Sequence, residues 1–207
     1  MSEDFDPAEA LALLQVQEDR VRVAFDTRLH EQLGAWGVAL LVGLGGIWLQ
    51  VRGQEPYVGP GAASGILFSV LLAAAAAVTA WRTQQATAGI AGASSWQGGL
   101  YGAGWALGFV GYFAILGAIA RADAPPPAIG VFATCGPLLI TGLMYLFGAA
   151  LWGVRPMAAL GAWLVLVASG AGFAGPVGAV LVGAVLGGGG LLVAASWLLM
   201  ARRRAMT

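Results

Sequence analysis

Apolar residues along this chain come in six long blocks, separated by short polar or proline- and glycine-rich interruptions. The blocks are too long for strands and too uniformly apolar for the striped face of a soluble helix. Residues 34–51 are 18 positions without an ionisable group. At 1.5 Å per residue they reach roughly 27 Å, enough to cross a hydrocarbon core of about 30 Å. Trp36 and Trp48 stand near the two ends, where indoles favour the membrane interface. Further blocks follow at 62–81, 100–120, 128–152, 157–174 and 177–200. The pattern predicts an all-α polytopic membrane protein: a six-helix transmembrane domain over 34–200, a polar segment at 1–33 and a basic tail at 201–207.

The interruptions agree with that division. Residues 52–60 hold Gly53, Pro56, Gly59 and Pro60 and read as a turn-rich loop. Residues 82–99 form the longest polar connection, part of which is also suited to dip into the bilayer. Arg121 and Asp123 precede three prolines, Pro125 to Pro127, which end a helix because they cannot donate. Gly153 to Pro156 leaves room only for a tight turn, and Gly175-Pro176 makes the last one. Three blocks on each side of Pro125 give the arithmetic of an inverted repeat, without matching residues in the halves.

In the polar segment, Asp6-Pro7 with Glu9 three residues after the cap is a helix start. On a 100° wheel Leu11, Leu14, Val21, Phe25 and Leu29 share a stripe that Glu18 interrupts. The expectation is a cytoplasmic amphipathic helix, with those six positions docking a partner. Glu18 to Arg22 and Asp26 to His30 are opposite-charge pairs one turn apart, the second only with a protonated imidazole.

Composition settles the class. Hydrophobic residues make up 59% and charged residues only 10% of 207 positions, against about 45–50% and about 25% in soluble domains. The formal net charge of zero conceals an asymmetry. Eight acidic residues and three arginines lie in residues 1–31, for −5, and two acidic residues and seven arginines in the remainder, for +5. With the N-terminus inside, eight arginines fall on the cytoplasmic side and two, Arg52 and Arg121, on the other. The positive-inside rule then predicts a multi-pass protein of the bacterial cytoplasmic membrane with both termini in the cytoplasm. The acidic start leads into no short apolar run with a cleavage site, so no signal peptide is expected.

Candidate chemistry is sparse. The six blocks contain no ionisable side chain, whereas proton relays and voltage sensors place such groups there at a cost of at least about 2.5 kcal/mol each. The one histidine, His30, lies outside them, and the one cysteine, Cys135, cannot build a metal site alone. Neither an enzyme, a metal, a cofactor nor a nucleic-acid ligand is expected, and a phosphate loop is excluded by the absence of lysine. Thr134, Pro137 and Thr141 form a candidate kink or polar site, since Pro137 frees the Ala133 carbonyl and either threonine is a candidate to take it up. Gly104 with Gly108, and Gly183 with Gly187, have the four-residue spacing of close helix contacts, including contact between copies. The run at 187–190 reads as packing before it reads as a hinge.

Asp6-Pro7-Ala8-Glu9-Ala10-Leu11-Ala12-Leu13, Gly34-Ala35-Trp36-Gly37 and Gly175-Pro176 before a glycine-rich last block resemble a group of uncharacterised six-helix membrane proteins of GC-rich bacteria, often labelled transporters or permease-like. The resemblance implies no catalytic or ligand residues. The expected partners are the lipid bilayer, a cytoplasmic protein such as a separate ATPase, and a second copy. The expected role is a permease-like or accessory component of a transport system. The alternative is a non-transporting anchor or regulator that docks a cytoplasmic partner through the N-terminal helix.

Overall fold

The computed structural model describes the backbone of residues 7–87 and 93–205, and the side chains of residues 29–85, 96–201 and 204. The regular structure of the described residues is all helix, without a strand. It comprises α1 (Pro7–Val51), α2 (Ala62–Thr87), α3 (Ala93–Arg121), α4 (Pro126–Trp152), α5 (Arg155–Gly172), α6 (Gly175–Val182), a π-helical turn (Gly183–Gly188) and α7 (Gly189–Ala205). Six stretches are long and apolar enough to cross a membrane: Leu29–Val51, Ala62–Gln85, Trp96–Arg121, Pro126–Trp152, Arg155–Gly172 and Gly175–Ala201. The last is built from α6, the π turn and α7.

Local chemistry sets the boundaries. The prolines after Asp123 start α4 as well as ending α3: Pro125 is the N-cap, and prolines fill the first helical positions, where a missing N–H costs nothing. Gly153 closes α4 in the left-handed region at φ 66°, which glycine adopts without a Cβ penalty, and Gly175 turns the chain at φ 71°.

The first helix departs from expectation. No separate amphipathic helix precedes the first span; Pro7–Val51 is one helix of 45 residues. A helix of that length is roughly 68 Å long, more than twice the thickness of a hydrocarbon core. From Pro7 on, the polar segment is therefore a continuation of the span's helix and not a second element folded against it.

Packing divides the helices unequally. α4 and α5 form the most extensive pair, while α1 lies between α2 and the composite sixth span. One core joins Leu33 of α1, Leu138 of α4, Leu164 and Ala168 of α5, and Leu191 and Ala195 of α7; a second joins Leu44, Ile47 and Val51 to Val180 and Ala184. Among the described residues α2 has one extensive neighbour, α1, and α3 has one, α4. The two halves are thus packed differently, since α5 also meets the helix that follows it and the described residues of α2 make no such interface with α3.

The loop after α1 is fastened by two glutamines. Gln54 Oε1 accepts from the Val58 and Gly59 N–H groups, and its Nε2 donates to the Gly59 carbonyl. Gln50 Oε1 accepts from the Gly61 N–H and the Ser64 hydroxyl. The loop lays Tyr57 against Gly130 of α4, where a Cβ would stand 2.5 Å from its phenol oxygen. Burial there pushes the Tyr57 phenol above its ordinary value.

Candidate functional site

The candidate polar site in α4 is closed from within the protein. α4 runs through Pro137 without interruption. The Ala133 carbonyl that the proline leaves without a donor accepts the Tyr112 hydroxyl of α3 at 3.1 Å. Gly136 makes this contact possible, because a Cβ there would stand 2.5 Å from the Tyr112 ring. The two threonines bond one turn back in their own helix, Thr134 to the Gly130 carbonyl at 3.1 Å and Thr141 to the Pro137 carbonyl at 2.8 Å. Neither threonine serves Ala133; a phenol from the neighbouring helix does. Tyr112 lies in the block at 100–120, and nothing local in the sequence marked it as the partner.

A second irregularity lies beside the first. In the π turn the Gly189 N–H reaches five residues back to the Ala184 carbonyl. The Leu186 carbonyl accepts the Trp163 indole N–H of α5 at 3.0 Å. Gly190 leaves room for that indole, since a Cβ would meet its nitrogen at 2.6 Å. The turn has a signal in sequence. Ala179, Gly183, Gly187, Leu191 and Ala195 are buried at a spacing of four. In a 3.6-residue helix each such step drifts by about 40°, so four steps would carry Ala195 to nearly the opposite face. The wider π turn returns α7 to the core side.

Glycines meet their neighbours in two ways. Gly183 faces Leu44, Thr134 and Leu138, and Gly187 faces Leu138, with a Cβ on either landing 3.1–3.9 Å from these side chains. Gly104 faces Met144 at 3.3 Å and Gly108 faces Ile140 at 3.4 Å. Backbone meets backbone elsewhere. A Cβ on Gly161 would stand 2.7 Å from the Gly142 carbonyl, and one on Gly188 would stand 2.5 Å from the Leu41 nitrogen, beside Gly37. α3 is instead fastened to α4 by aromatic rings: Tyr101 sits edge-on to Trp152 at 4.7 Å, Trp105 to Tyr145 at 6.1 Å, and Tyr112 stacks on Phe132 at 5.4 Å. Tyr101 also donates to the Met144 carbonyl. The positions Tyr101, Trp105, Phe109 and Tyr112 follow a helical spacing legible in sequence.

At the end of α1 and α2 nearest the N-terminal extension, Glu31 and Arg82 form an ion pair at 2.5 Å. The guanidinium lies 4.6 Å over the Trp81 ring, and its buried Nε has no hydrogen-bond partner among the described residues. One turn further in, the Trp36 indole donates to Thr79 Oγ1 at 2.9 Å. These contacts join α2 to α1.

Of the six expected docking positions, Leu11, Leu14, Glu18, Val21 and Phe25 have described backbone in α1, but their side chains lie outside the described residues, as do the pairs Glu18–Arg22 and Asp26–His30. Leu29 packs against the core formed by Leu33, Leu164 and Leu191.

Comparison with protein families, with characterised proteins and with solved structures gives no match to this chain.

Proposed function

We propose that the protein is an accessory component of a membrane transport system that carries no solute itself and holds a cytoplasmic partner, such as a separate ATPase, at the bilayer. The observation that carries this reading is the continuity of α1. Its backbone runs 22 residues N-terminal to Leu29 before reaching Pro7, which is roughly 33 Å of helix outside the apolar stretch. A helix anchored in the core at Leu29 and Leu33 transmits position between a partner and the bundle, as helix-in-groove recognition requires. The arginine distribution supports a bacterial cytoplasmic membrane with this extension in the cytoplasm.

The permease reading draws on one specific observation, that Pro137 and the π turn lie next to each other, as interrupted helices do around transporter sites. Against it, Tyr112 and Trp163 occupy the carbonyls such a site would offer.

The experiment compares the full chain with a truncation that starts at residue 29, after mild cross-linking in membranes. The expected result is a partner recovered with the full chain and lost with the truncation, while thermal unfolding of the bundle is little changed. Recovery of the same proteins with both forms, or of none with either, overturns the docking reading. Solute flux in proteoliposomes that survives the truncation would favour the permease.

A further inference from the structure

α1 leaves the bundle between two contacts at one level. On one side Leu29 and Leu33 belong to the core they share with Leu164 of α5 and Leu191 of α7. On the other, Glu31 reaches Arg82 of α2. At 3.6 residues per turn, Glu31 stands about 160° round the helix from both leucines.

Both sides of this grip are themselves fixed. Leu33 is 1% exposed and cannot leave its place without opening the core. Arg82 is held through Nη2 by Glu31, its guanidinium lies over the Trp81 ring, and its Nε is buried. Three residues before it on α2, Thr79 accepts the Trp36 indole and donates to the Ala75 carbonyl. Glu31 thus meets a cation that α2 already holds in position.

The pair adds little to stability and has a long lever. The Arg82 and Glu31 side chains are 27% and 39% exposed, and ion pairs so exposed are weak and screened by salt. From Glu31 back to Pro7 α1 runs 24 residues, roughly 36 Å. A pivot of about 20° on Leu29 and Leu33 would carry that end about 12 Å. A contact that hardly affects whether the bundle folds therefore decides where the far end of α1 lies.

We infer that Glu31 and Arg82 are positioning residues for the N-terminal extension: the apolar core alone makes a hinge for α1, the ion pair opposite makes it a grip, and, on the docking reading, the pair sets where a partner meets the protein. The grip loosens wherever salt or a substitution weakens the pair.

The test uses the full chain without a partner, reconstituted in phosphatidylcholine vesicles. In a Cys135→Ala background, spin labels at Gln17→Cys in the extension and at Ala150→Cys, an exposed position of α4, report the distance between them. Arg82→Gln and Glu31→Gln should each broaden the distance distribution by about twofold or more, with the thermal midpoint of the bundle within about 2 °C of wild type. The exchanged pair, Glu31→Arg with Arg82→Glu, should recover at least about half of the lost narrowness. Raising salt from about 0.1 M to about 1 M, which shortens the screening length from about 10 Å to about 3 Å, should broaden the wild-type distribution and leave Arg82→Gln unchanged. A distribution as narrow in Arg82→Gln as in wild type overturns the inference, as does broadening that the exchanged pair leaves in place or a wild type indifferent to salt. A midpoint lowered by more than about 5 °C would make the pair a structural contact and overturn it too. Partner capture bears on the other reading alone: a grip that behaves as expected in a chain that recovers no partner sinks the docking reading, and capture by a chain whose distribution never broadens sinks the grip.

Discussion

The α4–α5 seam and the attachment of α3 both use glycines, yet they are held together differently. Between α4 and α5, Gly142 and Gly161 bring two backbones into contact, each sitting where a Cβ would meet the other's carbonyl at 2.7–2.9 Å. On α3, the four-residue pair Gly104 and Gly108 faces only side chains, the flexible end of Met144 and the Cγ2 methyl of Ile140 at ordinary contact distance. The rings Tyr101, Trp105 and Tyr112 carry that interface. A glycine's contribution depends on what lies opposite, backbone or side chain, which spacing alone does not report.

Substitutions can break this contrast. Gly161→Ala forces a methyl onto the Gly142 carbonyl and should cost about 3 kcal/mol, read as a shift of the unfolding midpoint in mixed micelles. Tyr112→Phe removes the donor to Ala133 and should cost about 1.5 kcal/mol; an unchanged midpoint would mean that the proline-freed carbonyl is stable unpaired. Gly111→Ala, where a Cβ meets nothing within 4 Å, should stabilise by about 0.8 kcal/mol through helix propensity. Gly104→Ala, with Met144 free to yield, should stay within about 0.5 kcal/mol of wild type. Equal losses at Gly104 and Gly161 would erase the distinction.

How much was legible in sequence follows the same line. Six apolar stretches, the proline start of α4 and the turns at Gly153 and Gly175 depend on residues adjacent in the chain, and they were readable. The acidic N-terminal segment was legible as a helix but not as a continuation of the first span, because Glu31 and Gln32 interrupt hydropathy without interrupting helical hydrogen bonding. Which phenol meets Ala133, and which glycines meet each other's backbone, depends on helix pairs brought together only in the fold. The π turn stands between these cases. Its four-residue spacing was visible in Ala179, Gly183, Gly187, Leu191 and Ala195, but the same spacing also describes an ordinary close-packing motif. Of the candidate site, Pro137 and its vacated carbonyl were found from sequence, whereas Tyr112 and Trp163 needed the neighbouring helices.

The place of α1 between its immediate successor and the last span bears on the order in which the molecule can be completed during synthesis. α2 can join α1 as soon as it follows it into the bilayer, closing the Glu31–Arg82 and Trp36–Thr79 contacts. The opposite side of α1, with Gly37, Leu41 and Leu44, has to wait for the segment from Gly175 onward, which follows the other five spans in the chain. Until then that side is solvated by lipid, and α1–α2 and α4–α5 are two hairpins awaiting a common fastening. Loss of the final span would leave them unjoined along that side, whereas loss of α2 would remove a single interface.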